Sequence, residues 1–220
     1  MKQVIIFGTG IFAEVVHYYL TNDSSFTVAA FTANSSMITK NKLFDLPVVP
    51  FENIEEVYPP EKFSMFIAVG YLKVNKTRAN ICQQAKEKGY DLISYVNSKA
   101  TTWNDLDIGE NCFIFENNVI QPFTKIGNDV IMWSGNHIGH HTKIGDHCFI
   151  TSHVVISGNV DVGPYCFLGV NSTIRDSIKI GSECVIGAGS VILDDTKDRT
   201  VYTTERAKLL QKSSDELEHF

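Results

Sequence analysis

Five of the chain's seven histidines, His137, His140, His141, His147 and His153, fall within one short stretch. Imidazole gains and loses a proton near neutral pH, so such a cluster points to general-base chemistry or to metal ligation. For any one of these side chains alone, a solvated surface histidine is the ordinary reading. Their clustering is what favours a reactive one.

A second set of residues suited to chemistry is Gly8-Thr9-Gly10-Ile11-Phe12-Ala13. The apolar run Val4 to Phe7 precedes it, and a helical pattern through about Leu20 follows. A strand, a glycine turn and a helix together bring backbone amides up to a phosphate. NAD sites carry an acidic residue about twenty positions further on, to hold the ribose. Here the second strand ends Phe31-Thr32-Ala33-Asn34, with neither Asp nor Glu. The domain is also about half the length of a full dinucleotide fold. A mononucleotide therefore fits better, such as the uridine or thymidine diphosphate of an activated sugar. The residues expected to bind it are Gly8, Thr9, Gly10, Ile11, Thr32 and Gly70.

The elements that position these groups are written in two periods. Every sixth residue from Ile108 to Ile192 is large and apolar, through Ile126, Ile144, Val162 and Ile180, with no insertion or deletion. Neither a helix nor an amphipathic strand has period six; a hexapeptide β-helix does. Gly109, Gly127, Gly145, Gly163 and Gly181 recur every eighteen residues, so one coil has three sides and glycine returns to one corner, where it tolerates backbone angles a Cβ would block. About five coils result, in a column about 24 Å tall at roughly 4.8 Å per coil. In this register His147 aligns with Asp129, Tyr165 and Glu183, a solvated corner pattern. His140 shares its column with Pro122, Gly158 and Asp176, and His153 with Asn117, Gly135, Asn171 and Gly189.

Residues 1–95 differ in kind. Strands are expected at Val4 to Phe7, Phe26 to Phe31 and Phe63 to Val69, with helices to about Leu20 and from Asn75 to Lys88. Strands alternating with helices imply a small parallel α/β sheet, a Rossmann-like half fold. Leu92 to Val96 leads out into the coils. Beyond Ile192 the period breaks, and Glu205 to Leu217 is expected to form a helix closing the open end of the column. The expected organisation is thus 1–95 for nucleotide-sugar binding, 96–193 for the β-helix and 194–220 for a capping tail.

Composition narrows the function classes. Hydrophobic content is 44% and net charge −6, with no block of like charge, which argues against a nucleic-acid surface. No apolar run approaches the length of a membrane span. The apolar start is too short for a secretory signal. Four of the five cysteines, Cys112, Cys148, Cys166 and Cys184, occupy one column of the repeat and read as small core hydrophobes. Reduced thiols without a signal indicate the cytoplasm.

At these motifs the chain resembles the bacterial hexapeptide acyltransferases that acetylate activated sugars, namely sialic-acid O-acetyltransferase-like proteins and N-acetyltransferases of nucleotide-linked 4-amino-dideoxy sugars. The likeness is carried by Ile5-Ile6-Phe7-Gly8-Thr9-Gly10, Ala68-Val69-Gly70, Ser157-Gly158-Asn159-Val160, Cys166-Phe167-Leu168-Gly169-Val170-Asn171-Ser172 and Ile186-Gly187-Ala188-Gly189-Ser190. It implies a left-handed parallel β-helix, a homotrimer, and acetyl-CoA lying in the cleft between neighbouring columns. It further implies that His140 is the catalytic base and that Gly158, Val170 and Ala188 lie along the pantetheine arm. Relatives commonly carry an acidic residue after the base, where this chain has His141. Some carry a second histidine nine residues on, where Phe149 stands and His153 is the nearest imidazole. Lys179, Lys197 and Arg199 are candidates for the CoA phosphates. Trimeric zinc enzymes of the gamma carbonic anhydrase type need histidines five and thirty-six residues apart, and no pair in this cluster has either spacing, so no metal is expected. Two other readings remain at this stage: transfer to a sugar hydroxyl, and a binding scaffold without turnover.

Overall fold

The computed structural model describes residues 3–211 and 213–216. The N-terminal part is a five-stranded sheet in the order β3-β4-β2-β1-β5, formed by β1 (Gln3–Phe7), β2 (Val28–Ala33), β3 (Lys42–Leu43), β4 (Leu46–Pro50) and β5 (Phe63–Ile67). All pairs are parallel except the hairpin β3–β4. The central strand β1 reads Val4-Ile5-Ile6, fully buried, because helices cover both of its faces. Helix α1 (Ile11–Asn22) buries Ala13, Val16 and Leu20, three and four residues apart on one stripe. The short helix α2 (Ile54–Val57) and helix α3 (Lys76–Glu87) complete the layers. Strand β4 escapes the sequence reading because Pro47 and Pro50 punctuate it.

From residue 95 onward two-residue strands recur every six residues, each pairing in parallel with the strand eighteen residues on, as Ile126 with Ile144 and Ile138 with Ile156. Three flat faces result. The first runs through 113–114, 131–132, 149–150, 167–168 and 185–186, with Tyr95–Val96 added below and Val201–Tyr202 above. Its outward residues, among them Phe113, Ile131 and Phe149, pack against the N-terminal sheet and α1, so we name it the docking face. The second presents Val119, His137, Val155, Thr173 and Val191, the valine face. The third presents Asp107, Lys125, Lys143, Asp161 and Lys179, the charged face. Inward aliphatics fill the axis: Ile114, Met132, Ile138, Ile150 and Leu168 are wholly buried. The expected architecture of an α/β part followed by a left-handed parallel β-helix is the one observed.

One reading of the corners needs correction. The eighteen-spaced glycines are not the residues with unusual backbone angles. Instead fourteen consecutive six-spaced positions, from Asn111 through Asp129, His141 and His153 to Gly189, have positive φ. Asn, Asp and His are the non-glycine residues most at ease there. Three of the clustered histidines, His141, His147 and His153, therefore occupy slots that the winding itself favours. Gly109, Gly127, Gly145 and Gly163 serve close approach: a Cβ on Gly145 would lie 2.6 Å from the Pro164 nitrogen of the next coil. The four column cysteines are buried, free thiols, as expected. Cys112, Cys166 and Cys184 each donate Sγ–H to a carbonyl of the following coil at 3.0 Å.

The tail also departs from expectation. Glu205 to Gln211 is not helical, a single 3-10 turn spans Ser214–Glu216, and Leu217 lies outside the described residues. A lone helix that packs nothing is marginal in water, and Leu209 is 97% exposed. The last coil is closed by side chains instead. Asp195 Oδ1 accepts from the Lys179 amide, Thr196 Oγ1 from Gly181 and Asp198 Oδ1 from Ser182, all at 2.8 Å.

Candidate active site

His140 stands exposed at the corner where the valine face turns into the charged face. The ladder fixes its backbone from both sides. Its amide donates to Gln121 Oε1 of the coil before (2.9 Å), and its carbonyl accepts from the Asn159 amide of the coil after (2.7 Å). The ring lies over Gly158, where an added Cβ would come within 2.8 Å of both Cε1 and Nε2. His140 Nδ1 sits 3.1 Å from His141 Nδ1, the rings meeting edge to face at 87°. His141 in turn rests against Phe123, ring centroids 4.7 Å apart. A groove of about 200 Å³ opens beside His141, lined by Lys143, Asn159, Asp161, Ser177 and Lys179. An imidazole with one nitrogen held by a neighbour and an open groove alongside is equipped to take a proton from a bound nucleophile.

The other residues expected along the cofactor lie elsewhere. His153, Val170 and Ala188 are exposed at the corner between the docking and valine faces. His153 covers Gly135, whose φ of +79° and 2.7 Å clearance leave no room for a side chain. Within one chain the structure thus brings together His140, His141 and Gly158, and separately His153, Val170 and Ala188. The whole width of the valine face lies between the two groups.

The N-terminal turn has the expected form. Gly8 has φ +127°, and a Cβ there would lie 2.8 Å from the Ala68 carbonyl oxygen, so this close approach of β1 to the end of β5 requires glycine. Its amide donates to Thr32 O (2.7 Å). Gly10 caps α1 and Ile11 is 81% exposed at its start. Thr9 shares a cavity of about 120 Å³ with Glu14, Lys40 and Lys42. Thr32 is a correction: it is fully buried and its hydroxyl donates to Val49 O (2.9 Å), so its side chain holds the sheet and faces no ligand. Gly70 has open space around its Cα, and its carbonyl accepts from Arg78 Nη1 (3.3 Å). Phe12 reaches Trp133 (6.0 Å), and Tyr71 packs on Phe149 and Phe167 (5.0 and 4.9 Å), tying this end of the sheet to the docking face.

The corner at His147, expected to be solvated, is partly exposed at His147, Tyr165 and Glu183 but buried at Asp129. Asp129 is 1% exposed and Arg78 wholly buried. Arg78 Nε donates to Asp129 Oδ1 (2.8 Å), and its Nη2 donates to the carbonyls of Asp129 and His147 (2.9 and 3.1 Å). His147 Nδ1 lies 2.9 Å from Asp129 Oδ2. Asn111 Nδ2 donates to Asp129 Oδ1 as well (2.8 Å). Nearby, burial pushes the Cys82 thiol far above its ordinary value, so it is inert. This hub joins α3 to the coils, and the sequence reading missed it. Of the three cations considered for CoA phosphates, Lys179 lines the groove beside His141, whereas Arg199 pairs with Glu183 (3.4 Å). Among the described residues, no group of three or more His, Cys, Asp or Glu is arranged to hold a metal, and no helix is long and apolar enough to cross a membrane.

Known proteins share this build. Residues 123–158 match the bacterial transferase hexapeptide (six repeats), and residues 159–194 the hexapeptide repeat of succinyl-transferase. These repeats, together with the solved acetyltransferases that share the fold, support an acyltransferase. Among solved structures, PerB from Caulobacter crescentus, in complex with CoA and GDP-perosamine, superposes with TM-score 0.81 at 25% identity over 91% of this chain and 93% of that one. The acetyltransferase domain of PglB from Neisseria gonorrhoeae, with acetyl coenzyme A, gives 0.78 at 23% over 91% and 95%. A histidine-to-asparagine variant of the Caulobacter crescentus perosamine N-acetyltransferase gives 0.68 at 23% over 91% and 93%. The likeness to these nucleotide amino-sugar N-acetyltransferases extends over the N-terminal sheet as well as the coils. Among curated proteins none matches it in sequence.

Proposed function

We propose that the protein transfers an acetyl group from acetyl-CoA to the amine of a nucleotide-linked 4-amino-dideoxy sugar, in a groove between two copies of the chain, with His140 as general base. The observation that carries the reading is the fixed, exposed His140 ring, on a chain that resembles, over nine-tenths of its length, a protein solved with CoA and an amino-sugar nucleotide. The sugar amine, as free base, attacks the thioester carbonyl, forming the C–N bond while the carbonyl electron pair moves onto oxygen. His140 Nε2 takes the nitrogen's proton. The adduct collapses: the pair on oxygen re-forms the carbonyl, the C–S bond breaks, and the sulfur leaves with the C–S pair and accepts the proton from His140. Such base assistance is worth about two to four decades in rate.

A second copy completes the site. The valine face is unusually apolar for an open surface, with Val119, Val155 and Val191 exposed by 38, 39 and 60%. Covering it with another column brings the His140 corner of one copy opposite the corner of the next that carries His153, Val170 and Ala188. Closed association of identical chains in this manner makes a ring, and a trimer suits a three-sided column. The nucleotide occupies the turn Gly8-Thr9-Gly10-Ile11 near Gly70, with α1's first amides and Lys40 or Lys42 meeting its phosphates. Lys143 and Lys179 meet the CoA phosphates. Buried free thiols and a CoA-dependent reaction suit the cytoplasm.

The test is CoA release from acetyl-CoA in the presence of UDP-, dTDP- and GDP-linked 4-amino sugars and their hydroxyl-only counterparts, with products weighed by mass spectrometry. Acetylation confined to amino sugars is expected. Acetylation of hydroxyl-only sugars instead, or no turnover with any of them, overturns the reading.

A further inference from the structure

Resting on that reading of His140, the geometry points to a further role: we propose that His141 is the positioning residue for the base, acting as a neutral imidazole acceptor and held in place by Phe123. Two Nδ1 atoms 3.1 Å apart share one proton. When His140 carries it, His140 Nδ1–H donates into the His141 Nδ1 lone pair, and His141 keeps its own proton on Nε2. The His140 Nε2 lone pair is then left free to take the substrate's proton. The opposite arrangement puts the shared proton on His141 and moves the His140 proton to Nε2, where it blocks the base. The tautomer of His141 therefore decides whether His140 works.

Phe123 supplies the second observation. It has φ +67° at a slot filled by His141, Asn159 and Ser177 in the three coils that follow, and it is 70% exposed. The other residues of that column are polar, so the aromatic ring at 123 stands apart in its column. Its ring covers one face of His141. The groups facing His141 are His140 beside it, Phe123 on the coil before, Lys143 on its own coil, and Asp161 and Lys179 on the coils after.

An imidazole acceptor adds no negative charge to the base. A carboxylate in its place would favour protonated His140, since an opposite charge within hydrogen-bond reach stabilises the cation. The sign follows directly. Protonated His140 is inactive, so a carboxylate at 141 moves the acid limb of the pH–rate profile upward.

The experiment measures kcat, KM and the acid limb of kcat/KM for wild type, His141→Ala, His141→Asn, His141→Glu and Phe123→Asn, with melting temperatures alongside. His141→Ala is expected to lose about ten- to a hundredfold in kcat with KM for both substrates unchanged. His141→Asn, whose amide oxygen also accepts from Nδ1–H, recovers most of that loss. His141→Glu shifts the acid-limb midpoint up by about one pH unit. Phe123→Asn lowers kcat a few-fold without lowering the melting temperature. Wild-type kcat in His141→Ala, or an unmoved acid limb in His141→Glu, overturns the proposal. If His140→Ala remains active, the base assignment itself has failed; if His140→Ala is inactive and His141→Ala is normal, only the role of His141 has.

Discussion

Two corners of the third coil each present a histidine with a partner on its Nδ1, and they could hardly differ more. At one, His147 meets the carboxylate of Asp129, with Arg78 buried behind it. At the other, His140 meets only His141, in the open. Judged by residue types, the first has the carboxylate–imidazole pairing of general-base catalysis. The contacts of Arg78 reverse the judgement, although His147 is itself 21% exposed and lines a cavity of about 450 Å³. Arg78 spends its donors on Asp129 and on the carbonyls of Gly70, Asp129, His147 and Cys148, so this charge cluster clamps α3 to the column. The plainer pair is exposed, with His141 at the edge of a groove.

The comparison can be broken at either corner. Asp129→Asn leaves a wholly buried guanidinium without its counter-charge. It is expected to cost about 3–5 kcal/mol in urea unfolding, and to lower the melting temperature by roughly 10 °C. At 25 °C its kcat should stay within about threefold of wild type, because nothing at the His140 corner moves. Gly158→Ala works the other way. The new methyl group occupies the space of the His140 ring, which must swing away from His141. Turnover should fall about ten- to a hundredfold with the melting temperature within roughly 2 °C of wild type. Unchanged turnover would mean that the ring position over Gly158 is irrelevant to catalysis. The smallest effect belongs to His147→Gln, whose amide can still reach Asp129 Oδ2. Equilibrium unfolding should register a loss of about 1 kcal/mol or less; a loss as large as that of Asp129→Asn would make His147 an equal member of the clamp.

Much of the fold was legible because period six is unambiguous. Ile138 and Ile144 were expected inside, and they are 0 and 3% exposed. The glycine turn after β1 was legible for a similar reason, since few residue sequences but Gly8-Thr9-Gly10 suit a strand that must turn at once into a helix. The backbone angles at the corners were not. The left-handed slot accepts Asn111, Phe123, Asp129, His147, Tyr165 and Glu183 alike, so it leaves no signature of residue type. Nor was the clamp, because Arg78 and Asp129 lie 51 residues apart with no periodic relation between them. Thr32 was misplaced for want of knowing that β4 lies beside β2 and takes its hydroxyl. Phe123 did leave a trace: it is the one large apolar residue among Asn, Ser and His in its column, and that anomaly marks the support beneath His141.

The central claim is that the open imidazole of His140 does the chemistry, while His147 only leans on the buried Arg78–Asp129 clamp. One assay decides it: CoA release from acetyl-CoA with an accepted amino-sugar nucleotide, run on His140→Ala and His147→Gln in parallel at equal folded concentration. The account predicts a loss of about two to four decades in kcat for His140→Ala with an unchanged melting temperature, and near-normal kcat for His147→Gln. Near-normal turnover in His140→Ala together with a large loss in a well-folded His147→Gln would contradict it.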